Sequence, residues 1–337
     1  MSAPSSAVLA QRLQPMIARE CGTGAQVAGL APMAEGHAGL TFGFEVVDAA
    51  GAALGAYVLK LAPFGVTRRG NTDVYRQAPL LRALHDAGLP VPAVPWASPA
   101  EDLLGTPFIV MEKLPGRMFL LWDPHPDFSR DPAAVSAVWQ DCARLLARFH
   151  RLDAARVLAD WEAPRGLAEE LAVWPRVLKH AQEQAWLAAG TALGEALHAT
   201  MPAAPRIGLV HGDYQPGNLL FDGGRITGVI DWEIAFIGAQ GLDLGWLLMM
   251  SDPASWHASF QPLLPPPSEL LIAAYRDAGG PAHGDARWYQ AMASYRMGAI
   301  ACLNVKLHRT GKRPDPLWER FAPSIATLFS RGLSLLA

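Results

Sequence analysis

The spacing of apolar positions changes well before the midpoint of the chain. Residues 40–47 (LTFGFEVV) are rich in aromatic and β-branched types, Asp48-Ala49-Ala50-Gly51 makes a turn, and residues 57–61 (YVLKL) form a second run. Strands are therefore predicted across 27–60. Residues 76–87 place Leu80, Leu81 and Leu84 on one helical face, with Gly88 positioned to end the helix. A proline-punctuated loop over 89–99 leads to a buried-looking strand at 108–112 (FIVME), and the extended Lys113-Leu114-Pro115-Gly116 opens a linker. This part reads as mostly sheet with one clear helix.

From about residue 131 the period becomes helical. Val135, Val138, Trp139, Cys142, Leu145, Leu146, Phe149 and Leu152 recur at three- and four-residue steps as one apolar stripe. Further helices are predicted over 167–199, 241–250, 267–278, 286–308 and 316–336. One segment interrupts them: Asn218-Leu219-Leu220-Phe221, a turn at Asp222-Gly223-Gly224, and a strand over 226–230, which together predict a hairpin. The fold class expected is α+β, with a small antiparallel-sheet lobe over 1–112, a hinge and linker over 113–130, and a mostly helical lobe over 131–337. Small-molecule sites tend to lie between such lobes.

Composition narrows the classes. A length of 337 residues favours two lobes over one core. With 51% hydrophobic and 18% charged residues the chain is globular. A formal net charge of −3 supplies no basic field for a phosphate backbone, so nucleic acid is not the expected partner. Cys21, Cys142 and Cys302 stand far apart without a CxxC pair, which fits a reducing compartment. The amphipathic N-terminus lacks a signal-peptide pattern, and no stretch has the length of a membrane span, so a cytoplasmic location without a membrane partner is expected.

The chemistry concentrates in residues 209–233, LVHGDYQPGNLLFDGGRITGVIDWE. Burying an ionised carboxylate without a partner is costly, so Asp213 and Asp231 each need a hydrogen-bonding or metal-binding reason to be there. A loop, strand, turn and returning strand would bring Asn218 and Asp231 to the same mouth. Their amide and carboxylate oxygens are a hard pair, suited to a Mg²⁺ ion that keeps waters and takes its other ligands from phosphates. Asp213, upstream in the loop, is then free to accept a proton from an attacking hydroxyl. Phosphoryl transfer needs little else from a protein beyond positioning.

HGDYQPGNLLF followed by VIDWE resembles the catalytic loop and metal hairpin of the aminoglycoside phosphotransferase and choline kinase-like family, small-molecule kinases with a protein kinase-like two-lobed fold. The resemblance covers roughly residues 27–310. It implies an ATP- and Mg²⁺-dependent phosphotransferase acting on a hydroxyl of a small molecule. Asp213 would be the catalytic base, and Asn218 and Asp231 the metal ligands. Lys60 would hold the α- and β-phosphates. Gly36, His37, Ala38 and Gly39 would form the loop over the nucleotide, while Met111, Glu112 and Leu114 fall where backbone groups meet adenine. Asp243 would brace the catalytic loop. One position departs from the pattern: Gln77 stands where the family places a glutamate to pair with the strand lysine, with Asp73 as a substitute to consider.

Plainer roles stand beside these. His150, next to the apolar stripe, reads as a packing histidine, and His211 as a support for its loop. Tyr214, Gln215, Trp232, Glu233 and Arg296 are candidates for the acceptor site, Arg296 as a partner for a carboxylate or phosphate. The helical lobe has no dense acidic run to balance a polycation, and its uncommitted residues near the motifs are apolar or aromatic. An apolar or acyl-type hydroxylated acceptor is expected. The alternatives are a catalytically silent nucleotide-binding regulatory module and an antibiotic kinase acting on aminoglycosides or macrolides. A kinase acting on proteins ranks last, because little chain separates Asp231 from Asp243.

Overall fold

The computed structural model describes residues 4–33 and 40–337. The chain forms two compact units, Met1–Gly116 with Arg225–Ile234, and Arg117–Gly224 with Ala235–Ala337. The first is built on an antiparallel sheet of strands β1 (Gln26–Pro32), β2 (Leu40–Val47), β3 (Ala53–Leu61), β4 (Trp96–Ser98) and β5 (Phe108–Glu112), in the order β1-β2-β3-β5-β4. Phe42, Phe44 and Val46 alternate inward from β2, as the two-residue period of a strand requires. Against them lies helix α1 (Ser6–Cys21), which buries Leu9, Leu13, Met16 and Ile17. Helix α2 (Gln77–Asp86) buries Leu80, Leu81 and Leu84, the predicted face. Strand β3 is central, so the register fixes Lys60 between Thr41 of β2 and Ile109 of β5.

The second unit is mostly helical. It opens with the short strand β6 (Arg117–Met118) and helix α3 (Pro132–His150). The Asp131 side chain caps α3, accepting from Ala133 N at 2.9 Å, with Pro132 at the first helical position. Helices α4 (Ala154–Val157), α5 (Leu167–Leu178) and α6 (Gln184–Ala199) follow, then strands β7 (Ile207–Val210) and β8 (Leu219–Asp222). The remaining strands and helices are β9 (Arg225–Val229), which belongs to the first unit, β10 (Phe236–Ala239), α7 (Gly241–Ser251), α8 (Ser268–Asp277), α9 (Ala286–Arg309), α10 (Leu317–Phe321) and α11 (Ser324–Leu336). β7 pairs antiparallel with β10, and β6 with β8. Every residue of α7 is buried, and a Cβ at Gly245 would collide with the Tyr289 backbone of α9, so only glycine permits that approach. Among the described residues no helix is long and apolar enough to cross a membrane.

Several expectations change. The amphipathic N-terminal stretch becomes α1, so among the described residues the first unit holds two α-helices where one was clear from sequence. The span 167–199 is two helices, broken after Leu178, and 316–336 breaks before Ser324, where Pro323 cannot supply a helical N–H. Strands β7 and β10 were not anticipated. Each has four residues, too few for a periodic signal. The division between units also differs from the expected one. It falls at Gly116, and β9 with Asp231 and Glu233 joins the sheet unit. Within that unit Val229 N donates to the Pro90 carbonyl at 2.8 Å and the Thr227 hydroxyl to Pro115 O at 2.6 Å. Gly228 leaves the space that the Leu114 side chain fills.

Candidate active site

In the second unit the loop after β7 presents Asp213, and three donors converge on its carboxylate. Trp246 Nε1 reaches Oδ1 at 2.7 Å, Gln215 Nε2 reaches Oδ1 at 3.1 Å, and Asn218 Nδ2 reaches Oδ2 at 2.9 Å. Asn218 Nδ2 also bonds the Asp213 carbonyl at 2.8 Å. A carboxylate held from three sides has a fixed orientation, which a group that positions a hydroxyl and takes its proton requires. The loop can take this path because Gly212 adopts φ 89, a left-handed conformation that side chains disfavour.

Asp243, near the start of α7, holds the loop from beneath. Its two oxygens accept from the backbone N–H groups of His211 at 2.7 Å and Gly212 at 2.8 Å. Burial works to raise its pKa, but the neighbouring His150, together with His211, outweighs this, and the carboxyl sits below its ordinary value. His150 Nε2 lies 3.7 Å from Asp243 Oδ2, and its Nδ1 meets the Tyr275 hydroxyl at 2.7 Å. That hydroxyl also meets His283 Nε2 at 2.7 Å. A buried hydrogen-bonded run therefore joins His283, Tyr275 and His150, and ends close to Asp243. His211 Nδ1 accepts from Asp213 N at 3.2 Å, the supporting role anticipated for it.

Arg296 of α9 completes this support. It is buried, donates from Nη2 to the Gly212 carbonyl at 3.1 Å, and lies 3.8 Å from Glu170. Its guanidinium stands over the rings of Trp174 and Trp246, 5.1 and 5.0 Å from their centroids. These contacts give Arg296 a supporting place beneath the Asp213 loop, where sequence suggested a partner for an anionic acceptor.

The first unit holds the other group of predicted residues. Lys60 Nζ pairs with Glu233 Oε2 at 3.0 Å and Asp231 Oδ1 at 3.4 Å. Burial opposes the ammonium charge, but Asp231 and Glu233 more than compensate and raise its pKa above the ordinary value, so Lys60 stays charged at any working pH. Asp231 has φ 63, an uncommon conformation for a residue other than glycine, and strain of this kind clusters at functional positions. At the end of β5 the N–H groups of Glu112 and Lys113 donate to Ala93 and Ala56. Met111 and Leu114 are half-buried beside them. Gly36, His37, Ala38 and Gly39 lie outside the described residues.

Three further candidates change role. Tyr214 is buried and donates its hydroxyl to the Cys142 carbonyl at 2.8 Å. Trp232 is buried and donates to the Val229 carbonyl at 3.0 Å. Both pack where they were expected to line an acceptor site. Glu233 pairs with Lys60, while Gln215 stays half-exposed beside Asp213. In sequence Trp246 is one of the aromatic residues near the motifs, and nothing there gives a part to Tyr275 or His283. Their partners are distant in sequence, so no local pattern marks them.

The pattern of the phosphotransferase enzyme family matches residues 37–289. Homoserine kinase of Pseudomonas aeruginosa is 32% identical over 202 residues, covering 58% of this chain and 58% of that protein. Acyl-CoA dehydrogenase family member 10 of Mus musculus is 28% identical over 193 residues, 56% of this chain and 18% of that protein. The chain thus spans less than two thirds of the curated relatives it matches. Among solved structures, a Ralstonia eutropha protein provisionally named an aminoglycoside phosphotransferase superposes with a TM-score of 0.74 at 22% identity, covering 96% of this chain and 98% of that one. Aminoglycoside phosphotransferase APH(4)-Ia, solved in a ternary complex with AMP-PNP and hygromycin B, superposes with a TM-score of 0.59 at 17% identity, covering 96% and 97%. The structural likenesses concern the fold, which is that of kinase-like phosphotransferases. With most of its length inside the family match, the chain belongs to the phosphotransferase enzyme family.

Proposed function

We propose that this phosphotransferase moves the γ-phosphoryl group of ATP to a hydroxyl of a small molecule, with Asp213 as the base. The observation that carries the reading is the Asp213 carboxylate itself, gripped by Trp246, Gln215 and Asn218 in a loop that Asp243 braces. A carboxylate fixed in this way orients the acceptor hydroxyl and takes its proton as the new P–O bond forms. Lys60, charged and fixed on a central strand, steadies the phosphates of the nucleotide. The AMP-PNP bound by APH(4)-Ia supports ATP as the donor.

The donor set fits magnesium. Asn218 turns its Nδ2 toward Asp213, which leaves the amide oxygen as its ligand atom, and Asp231 offers a partly exposed carboxylate. Both are hard oxygen donors. Bound magnesium would neutralise charge on the β- and γ-phosphates.

For the acceptor we favour an apolar or acyl-type hydroxylated metabolite. Tyr214, Trp232, Phe236, Trp246, Met249, Met250, Trp288, Tyr289 and Tyr295 are all buried, so the aromatic supply anticipated for a pocket goes mainly into the core. Support comes instead from charge, since residues 131–337 contain no dense acidic run to balance a polycation. The acyl-CoA dehydrogenase family names of several relatives point the same way. The test is ATP consumption by the purified protein across hydroxy-acids, their thioesters, homoserine, choline and kanamycin-like aminoglycosides, with mass spectrometry of the products. An increase of one phosphoryl group on a hydroxyacyl compound is the expected result. Efficient, low-KM transfer to an aminoglycoside contradicts the acceptor, and ATP binding without transfer to any compound favours a silent module.

A further inference from the structure

Lys60 meets two carboxylates of one short segment, and the two pairs are unequal. Glu233 Oε2 lies at 3.0 Å with 16% of its side chain exposed, whereas Asp231 Oδ1 lies at 3.4 Å with 43% exposed. A closer and better shielded pair is screened less by water and salt. Asp231 is therefore the carboxylate that can turn to another cation at small cost, and Glu233 the one that stays.

The main chain of Glu233 is also tied down, since Arg76 Nη1 donates to its carbonyl at 2.9 Å. Arg76 immediately precedes α2, beside Gln77. The Gln77 side chain is buried, and its Nε2 has no hydrogen-bond partner among the described residues. Among those residues the Lys60 ammonium bonds Asp231 and Glu233, and neither Gln77 nor Asp73. The start of α2 thus supports the lysine indirectly, through Arg76 and then Glu233.

We infer that Glu233 is the anchoring carboxylate of Lys60, a positioning residue that holds the ammonium for the nucleotide phosphates in place of a glutamate on α2, and so frees Asp231 for the cation. The inference rests on the proposed role of Lys60 at those phosphates. The charge that a helix glutamate would supply comes from the segment that also carries the metal-type ligand.

Calorimetric titration with ATP, in the presence of Mg²⁺ and again in EDTA, tests it on the parent and on Lys60→Ala, Glu233→Gln, Glu233→Asp, Gln77→Ala and the Lys60→Ala/Glu233→Gln double variant, each checked for folding by circular dichroism. Lys60→Ala should weaken binding about tenfold and Glu233→Gln about fivefold, and the double variant should match Lys60→Ala within about twofold, because residues acting through one contact are not additive. Glu233→Asp should retain most of the affinity, which keeps the test open if Glu233→Gln folds poorly. Gln77→Ala should bind as the parent does. Losses that multiply in the double variant, a Glu233→Gln loss that vanishes in EDTA, or parent-like binding by Glu233→Gln beside a weakened Lys60→Ala would each overturn the inference and leave Lys60 at the phosphates. Undiminished binding by Lys60→Ala would remove the reading of Lys60 itself, and the inference with it.

Discussion

Trp246 donates its indole N–H to Asp213 Oδ1 at 2.7 Å, from a helix whose first turn carries the aspartate bracing the same loop. One helix, α7, therefore sets both the backbone and the carboxylate of the candidate base. Trp246→Phe keeps most of the packing and removes only the donor. We expect kcat to fall about tenfold, the scale of one hydrogen bond to a charged group, with KM for ATP nearly unchanged. Steady-state kinetics checks this, and a kcat within twofold of the parent's would mean that the indole only packs.

Arg296 supports the loop from the other side, through the Gly212 carbonyl and the Trp174 and Trp246 rings. Arg296→Met should lower stability by about 3 kcal/mol, because it leaves Glu170 buried with less compensation. It should lower kcat as well, without raising KM for the acceptor. Urea unfolding and acceptor titration measure the two effects. A selective rise in acceptor KM would restore the anion-binding role read from sequence.

His283 gives a pH dependence. Burial first, then the charges of His150 and Arg206, lower its pKa from 6.5 to about 3, so the unfolded chain takes up a proton more readily than the folded one. The stability contributed by neutral His283 is complete above pH 6.5 and is lost as pH falls toward about 3. Urea midpoints measured across this range should fall with acid in the parent and fall less steeply in His283→Gln. Identical slopes would show that His283 is not the titrating group.

Much of this site was legible in sequence because its motif is local. Asp213, Asn218 and the partners of Lys60 fall within a single stretch, and a strand lysine is marked by the strand around it. What was not legible depends on contacts between distant segments. Arg296 and Tyr214 looked available because their types suit ligand binding. Their actual partners, Gly212 and Cys142, lie 84 and 72 positions away. Gln77 marked the position where the resemblance expects a charge, and the nearer carboxylate that Lys60 meets is Glu233, 173 positions beyond it. In the same way β7 and β10 are too short to announce themselves, and their pairing across the motif defines them.

Asp231 carries the charge of the proposed cation pair. Asp231→Asn should weaken ATP binding in the presence of Mg²⁺ by about tenfold and change binding in EDTA little, since one hard anionic ligand is lost. Calorimetry under both conditions decides, and an unchanged magnesium dependence would remove Asp231 from the metal.

The central claim is that Asp213 is the base of a phosphoryl transfer. Its most direct measurement is single-turnover transfer by Asp213→Asn, made alongside ATP affinity for the same sample and using the acceptor found by the ATP-consumption screen. The amide keeps the shape but cannot take the proton. Transfer should fall by a factor on the order of 10² to 10⁴, the usual scale for a proton-transfer residue, while ATP affinity stays within about threefold. Turnover by Asp213→Asn at the parent rate would contradict the account.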